Sequence, residues 1–288
     1  MRPRHAICVS RDDGLRRVIE DTLSASGLTV THTESIPADA GGAALVVVDR
    51  ATREAAGGAL AGVAAPVVIV GDDLENEALI AVMSEAPVSH VVADPHDRDL
   101  GITSEKLASG DLFGIEKYLS CDAVVSERVV VSDIDRRHAV GEITAWADSV
   151  ARRPVVHRIE NVADELMMNA LHDTPGARGE TRAVLRWGAD DRVIAVSVSD
   201  GFGALRQRDV IDHVRRARSE RGKPKPESDD GRGAGLGLYL VLANVASLVV
   251  NVEAGARTEV VCLFDRARAG HPAASAARSL HVFQAAAT

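Results

Sequence analysis

The sequence predicts two successive α/β domains, and three observations predict them. Within the first hundred residues, uninterrupted Val/Ile/Ala runs alternate with segments of helical apolar spacing, the mark of a doubly wound parallel sheet covered on both faces. In the second half, a strand and two helical segments precede paired strands, which predicts an α/β sandwich with a mixed sheet. Near its end, a glycine-studded run, Gly231-Arg-Gly-Ala-Gly-Leu-Gly237, feeds directly into an apolar helix pattern. At 288 residues and 46% hydrophobic content, the chain can bury two separate cores.

Taken in order, His5–Val9 reads as a short apolar strand, and Leu15, Val18, Ile19 and Leu23 mark a helix over 15–25 that stops at Gly27. Residues 29–33, 44–48, 66–70 and 88–92 read as further strands, the second of these running into Asp49. A first domain over 1–100 and a linker over 101–122 follow from this pattern, with 97–119 reading as a helix followed by a connecting segment. The second domain, 123–266, opens on a strand at 123–132 and a helix after Ser132-Asp133 carrying Ala139, Ile143 and Trp146. A helix over 159–171, strands at 181–187 and 193–198, a charged stretch to Asp230, a helix over 236–247 and strands at 248–253 and 258–264 complete it. Residues 267–288 are Ala- and Arg-rich at first and read as a flexible tail.

Composition narrows the function classes. A net charge of −9 and only 3% aromatics argue against nucleic acid or an anionic membrane surface as partner. Cys8, Cys121 and Cys262 are far apart and without metal-ligand spacing, as expected of a reducing cytoplasm. The longest nearly uncharged stretch, from Gly57 to Gly71, is broken by Pro66 and too short to span a bilayer, so a soluble cytoplasmic protein is expected.

Three motifs carry chemistry. In the glycine run, residues without a Cβ let backbone N–H groups converge on an anion, and the helix starting at Leu236 or Leu238 aims its positive end at the same spot. Upstream, Glu165 and Asn169 are four residues apart and share one helix face, a carboxylate for general-base work beside a carboxamide oxygen for Mg²⁺. Between them, a strand ends in Asp200-Gly201-Phe202-Gly203, where a carboxylate can accept from an exocyclic amine. An isolated Glu-x-x-x-Asn is ordinarily a solvated helix face and an isolated Asp-Gly a turn. Their order along the chain is the distinctive feature.

That order resembles the histidine-kinase-like ATPase domain, the Bergerat or GHKL superfamily, over roughly residues 123–265. The resemblance implies ATP and Mg²⁺ as cofactors. Glu165 would be the acid/base residue and Asn169 the Mg²⁺ ligand of the N box, and His172 stands where a phosphate-contacting lysine is often found. Asp200 with Gly201 and Gly203 would form the adenine-binding G1 box, while Gly233, Gly235, Leu236 and Gly237 would form the phosphate-covering G2 box. Thr258 matches a threonine near the adenine, and 206–230 would be the ATP lid. The G1 pattern Asp-x-Gly-x-Gly is one residue short here. With the glycines aligned its aspartate falls on Ser199, and a one-residue deletion keeps it at Asp200, the assignment adopted.

Within the superfamily, none of the ten histidines has a phosphoacceptor setting, and the 123–169 layout resembles the anti-sigma serine kinases. This implies an ATP-dependent serine/threonine kinase or regulator acting on a protein partner, an anti-anti-sigma-like antagonist or a sigma factor. A nucleotide-gated binding module without phosphotransfer is the alternative. Residues 1–100 resemble a degenerate response-regulator receiver, with Ser10 and Arg11 at the metal-binding acid positions, Asp49 at the phosphoacceptor position, Gly71 at the switch position and Asp94-Pro95 in place of Lys-Pro. A pseudo-receiver used for docking or for forming a homodimer is expected.

Overall fold

The computed structural model describes residues 4–71, 76–85, 87–96, 98–172, 182–212, 236–266 and 279–285. They fall into two units, Met1–Leu112 with Arg278–Phe283, and Phe113–Ala277 with Gln284–Thr288.

The first unit is built from β1 (His5–Val9), α1 (Asp13–Ala25), β2 (Thr29–Thr33), β3 (Leu45–Asp49), α2 (Arg50–Ala56), β4 (Val67–Val70), α3 (Asn76–Met83), β5 (Val88–Val92) and α4 (Arg98–Ser109). Its strand order is β2-β1-β3-β4-β5, all parallel, a doubly wound order. Every residue of β3 and β4 is buried, as the uninterrupted Val/Ile runs require. Ile19 and Leu23 of α1 pack with Ala6, Cys8, Leu45, Val47, Val68 and Leu100. Asp12 starts α1 by accepting from the N–H groups of Gly14 (2.8 Å) and Leu15 (2.9 Å), and Gly27, at φ +75°, follows its end.

Three expectations for this unit are corrected. Strict alternation fails between β2 and β3, where residues 34–44 form turns and bends rich in Pro, Asp, Gly and Ser. The presumed linker over 101–122 is mostly inside the folded units, because α4 runs to Ser109 with Thr103, Ser104 and Lys106 buried, and Ile115–Tyr118 forms a 3₁₀ turn with Ile115 and Tyr118 buried. The presumed tail contains β11 (Ser279–Gln284), antiparallel to β5 with His281 opposite His90, and it makes this unit's sheet mixed. The Ala/Arg-rich stretch ahead of it masked a six-residue strand whose Leu280, Val282 and Phe283 are buried.

The second unit contains β6 (Val125–Val130), α5 (Asp133–Val150), α6 (Arg153–His172), β7 (Ala183–Ala189), β8 (Val193–Asp200), α7 (Leu236–Asn244), β9 (Ser247–Glu253) and β10 (Arg257–Asp265). Its strands are ordered β9-β10-β8-β7-β6, and every described pairing among them is antiparallel rather than mixed. The short β7–β8 and β9–β10 connections dictate this, since tight hairpins join antiparallel strands. Helix α6 begins six residues earlier than its apolar pattern suggests, because Pro154 in the first turn sacrifices no helical hydrogen bond. Its buried stripe, Val155, Ile159, Val162, Leu166 and Ala170, sets which face remains for chemistry. Among the described residues no helix is long and apolar enough to cross a membrane.

Asp49 is 3% exposed and caps α2, accepting from the Thr52 N–H (2.8 Å) and hydroxyl (2.7 Å). Nearby, the Ser10 hydroxyl donates to the Asp12 carbonyl (3.3 Å) and the Arg11 guanidinium to the Glu34 carbonyl (3.2 Å). Asp49→Ala is therefore expected to cost about 1–2 kcal/mol through the lost cap and a stranded Thr52 hydroxyl. Urea unfolding checks it: an unchanged midpoint would mean that the cap contributes nothing.

Candidate functional site

Helix α6 carries Glu165 and Asn169 one turn apart on a half-buried face, opposite the fully packed Met167. Helix α7 packs against α6 and brings Gly237 of its first turn to both side chains. A Cβ added at Gly237 would lie 1.9 Å from Glu165 Oε1 and 3.2 Å from Asn169 Nδ2. The two polar groups thus occupy the space that any larger residue at 237 would claim. This joins the first motif to the last.

The second motif lies on the sheet. Strand alternation and register put Asp200, Val198, Val196 and Trp187 on one face, with Thr258 directly across from Asp200. Trp146 of α5 meets Trp187 edge-on, ring centres 6.4 Å apart, so this is the helix-covered face. Ser199 points the other way, across from Glu259. Alternation therefore places Asp200, and not Ser199, on the side of α5 and α6.

Asp200 accepts from the Phe202 N–H at 2.8 Å. Burial pushes its carboxyl above the usual aspartate range, against the pull of the Phe202 and Gly203 amides and the Thr258 amide and hydroxyl. Thr258 is 2% exposed. Its hydroxyl favours the Asp200 carboxylate electrostatically but completes no hydrogen bond of full geometry among the described residues. A half-buried carboxylate beside a buried hydroxyl offers polar groups that a ligand could meet.

The other predicted residues divide. Gly203 has a structural duty: at φ +58°, an added Cβ would sit 2.0 Å from the Glu253 carbonyl oxygen, and its own carbonyl accepts from the Gly255 N–H at 3.2 Å. Gly201 has open space around it. His172 is exposed at the end of α6, its Nε2 3.2 Å from Asp133 Oδ1. That contact, followed by Arg136, keeps the Asp133 carboxyl below its ordinary range. Arg136 also pairs with Asp164, tying the start of α5 to α6 next to Glu165. Gly233, Gly235 and the lid residues 213–230 lie outside the described residues, as does the Leu236 side chain; 207–212 are helical.

Sequence reading missed Glu259. It is fully buried on the face opposite Asp200, accepting from the Gly114 N–H (2.9 Å), the Asn251 carboxamide (3.0 Å) and the Ser197 hydroxyl (3.4 Å). Its signal was a lone carboxylate inside the apolar strand Thr258-Glu-Val-Val-Cys262, where burial demands donors. A separate open cleft of about 520 Å³ beside Trp146, Asp122 and Asp190 contains none of the predicted site residues.

The sequence matches no protein-family model, and no curated protein matches it.

Two glycines separate scaffold from site. Gly203→Ala is expected to destabilise by about 2 kcal/mol or more, since both the left-handed backbone and a carbonyl resist it. Gly237→Ala meets only the movable ends of Glu165 and Asn169, so its unfolding free energy from urea titration should stay within about 1 kcal/mol of wild type. Equal losses in the two variants would contradict this division.

Proposed function

We propose that the second unit binds ATP with Mg²⁺ and that the protein is a signalling protein, an anti-sigma-like serine/threonine kinase or regulator acting on a partner protein. The observation that carries this reading is the convergence of Glu165 and Asn169 on Gly237, with Asp200 and Thr258 on the helix-covered sheet face. Two features suit the ligand: the buried Thr258 hydroxyl beside the half-buried Asp200 carboxylate fits a base edge, and the Cβ-free approach at Gly237 fits a phosphate chain.

Bound ATP and Mg²⁺ would supply the transferable phosphoryl group and offset its charge. Asn169 would offer its carboxamide oxygen to the metal, since Mg²⁺ prefers hard oxygen ligands. Glu165, one turn earlier, would accept the proton of a partner's serine hydroxyl as it attacks. Asp200 would accept a hydrogen bond from the adenine amine, with the Thr258 hydroxyl beside it. The parallel order β2-β1-β3-β4-β5 supports reading the first unit as a receiver-like fold. Its Asp49 is committed to capping α2, which favours docking over phosphorylation.

A second reading, nucleotide-gated partner binding without transfer, is favoured by one observation. His172, at the position expected to touch phosphate, is engaged by Asp133.

Calorimetric titration with ATP, with and without Mg²⁺, tests the site. Wild type should bind more tightly with Mg²⁺, and Asn169→Ala should lose at least tenfold of that affinity, about 1.4 kcal/mol. Identical binding by both proteins would remove Asn169 from the site. Radiolabelled ATP with candidate antagonist proteins separates the two readings: label transfer abolished by Glu165→Ala supports the kinase, whereas nucleotide-dependent association without transfer supports the gated module.

A further inference from the structure

The first unit buries an unusual group of ionisable side chains where its last strand joins. Asp99 and Lys106 come from α4, His90 from β5 and His281 from β11, and the least buried of them, Asp99, is 9% exposed. His281 Nε2 lies 3.2 Å from Asp99 Oδ2, and its Nδ1 lies 3.4 Å from the Thr103 hydroxyl. A carboxylate only accepts, so the imidazole N–H must donate to Asp99. Ser279, two residues earlier on the same strand, also hydrogen-bonds to Asp99. On the next residues of β11, the Phe283 ring receives the Lys106 ammonium 3.9 Å from its centre and packs 4.4 Å from the His90 ring. Backbone pairing is brief, Leu280 with Val91 and His281 with His90. Side chains of β11 add to the attachment that this pairing gives.

We propose that β5 and α4 form a strand-accepting groove whose ligand is the chain's own segment 279–284, recognised through its imidazole and Phe283, and that mild acid loosens this attachment. The groove suits an extended segment with a hydrogen-bonding imidazole two residues before an aromatic ring, the spacing that puts both on one face of a strand. Its floor is the Asp99 carboxylate and the Thr103 hydroxyl, and its wall is His90 and Lys106.

The direction of the pH effect follows from the groups that face one another. His90 is buried, its Nδ1 has no hydrogen-bond partner among the described residues, and it sits near His281 and Lys106. Burial first, then those neighbours, hold its imidazole far below the usual histidine range, so it stays neutral while the strand is in place. Once exposed by detachment it would regain an ordinary pKa near 6.5 and take up a proton below that pH. Attachment is thus strongest above about pH 6.5 and weakens as pH falls below it. For Asp99, burial would raise the carboxyl, but His281, Ser279 and Lys106 overcome this and hold it below its ordinary value. Its contribution has the same sign and is lost only in stronger acid, below the usual carboxylate range.

Hydrogen exchange of the full-length protein at pH 7.5 and 5.5, corrected for intrinsic exchange, tests the proposal. Protection of 279–284 is expected to fall about tenfold at pH 5.5, the factor set by one histidine titrating near 6.5, while β1 and β3 keep theirs. Unchanged protection of 279–284, or an equal loss in β1 and β3, would overturn it. In His90→Phe, which keeps a ring beside Phe283 but cannot titrate, the acid response should vanish; a retained response would also overturn it. His90→Gln serves the same purpose if the phenylalanine variant does not fold.

Discussion

The close approach of α6 to Gly237 is the contact on which the second unit's candidate site depends. Helix–helix separation is normally set by side chains at the crossing, and here one partner contributes none. That lets the Glu165 carboxylate and the Asn169 carboxamide approach the first turn of α7, at the end of the helix whose dipole favours negative charge. The rest of the unit holds this arrangement in place. The buried stripe of α6 fixes its rotation, Arg136 links α5 to α6 through Asp133 and Asp164, and the β8–β10 register brings Asp200 and Thr258 to the helix-covered face.

Much of this was legible in the sequence because the relevant periods are short. Four-residue spacing put Glu165 and Asn169 on one face, and two-residue alternation decides between Asp200 and Ser199 once the register is known. The register itself was not legible, since it is set by pairing partners far apart in sequence, such as Thr258 with Asp200. The role of Gly203 was also hidden. It reads as a glycine of the adenine-binding box, yet its left-handed backbone and its proximity to the Glu253 carbonyl give it a part in packing the hairpin. His172 shows the reverse case: a motif position fits a ligand contact, but a nearby carboxylate, Asp133, takes the ring first.

In the first unit, the parallel strands were readable from their uninterrupted apolar runs, whereas local capping was not. Asp49 reads as a phosphoacceptor position, but it is engaged by the Thr52 amide, as Asp12 is by the Gly14 and Leu15 amides. The C-terminal strand escaped notice because β11 is short and its partner β5 lies nearly two hundred residues earlier. Its polar members, Ser279 and His281, find their partners in Asp99 and Thr103. Buried Glu259 in the second unit follows the same rule, with its donors drawn from Gly114, Asn251 and Ser197.

The central claim is that one pocket joins α6, the start of α7 and the Asp200–Thr258 face. The most direct measurement is the map of backbone amide NMR shifts on adding a non-hydrolysable ATP analogue with Mg²⁺. The account predicts the largest changes at 165–169, at Gly237 and at Asp200 and Thr258, with the core of β3 and β4 unmoved. Saturable changes confined to other surfaces, or none at these residues, would contradict it.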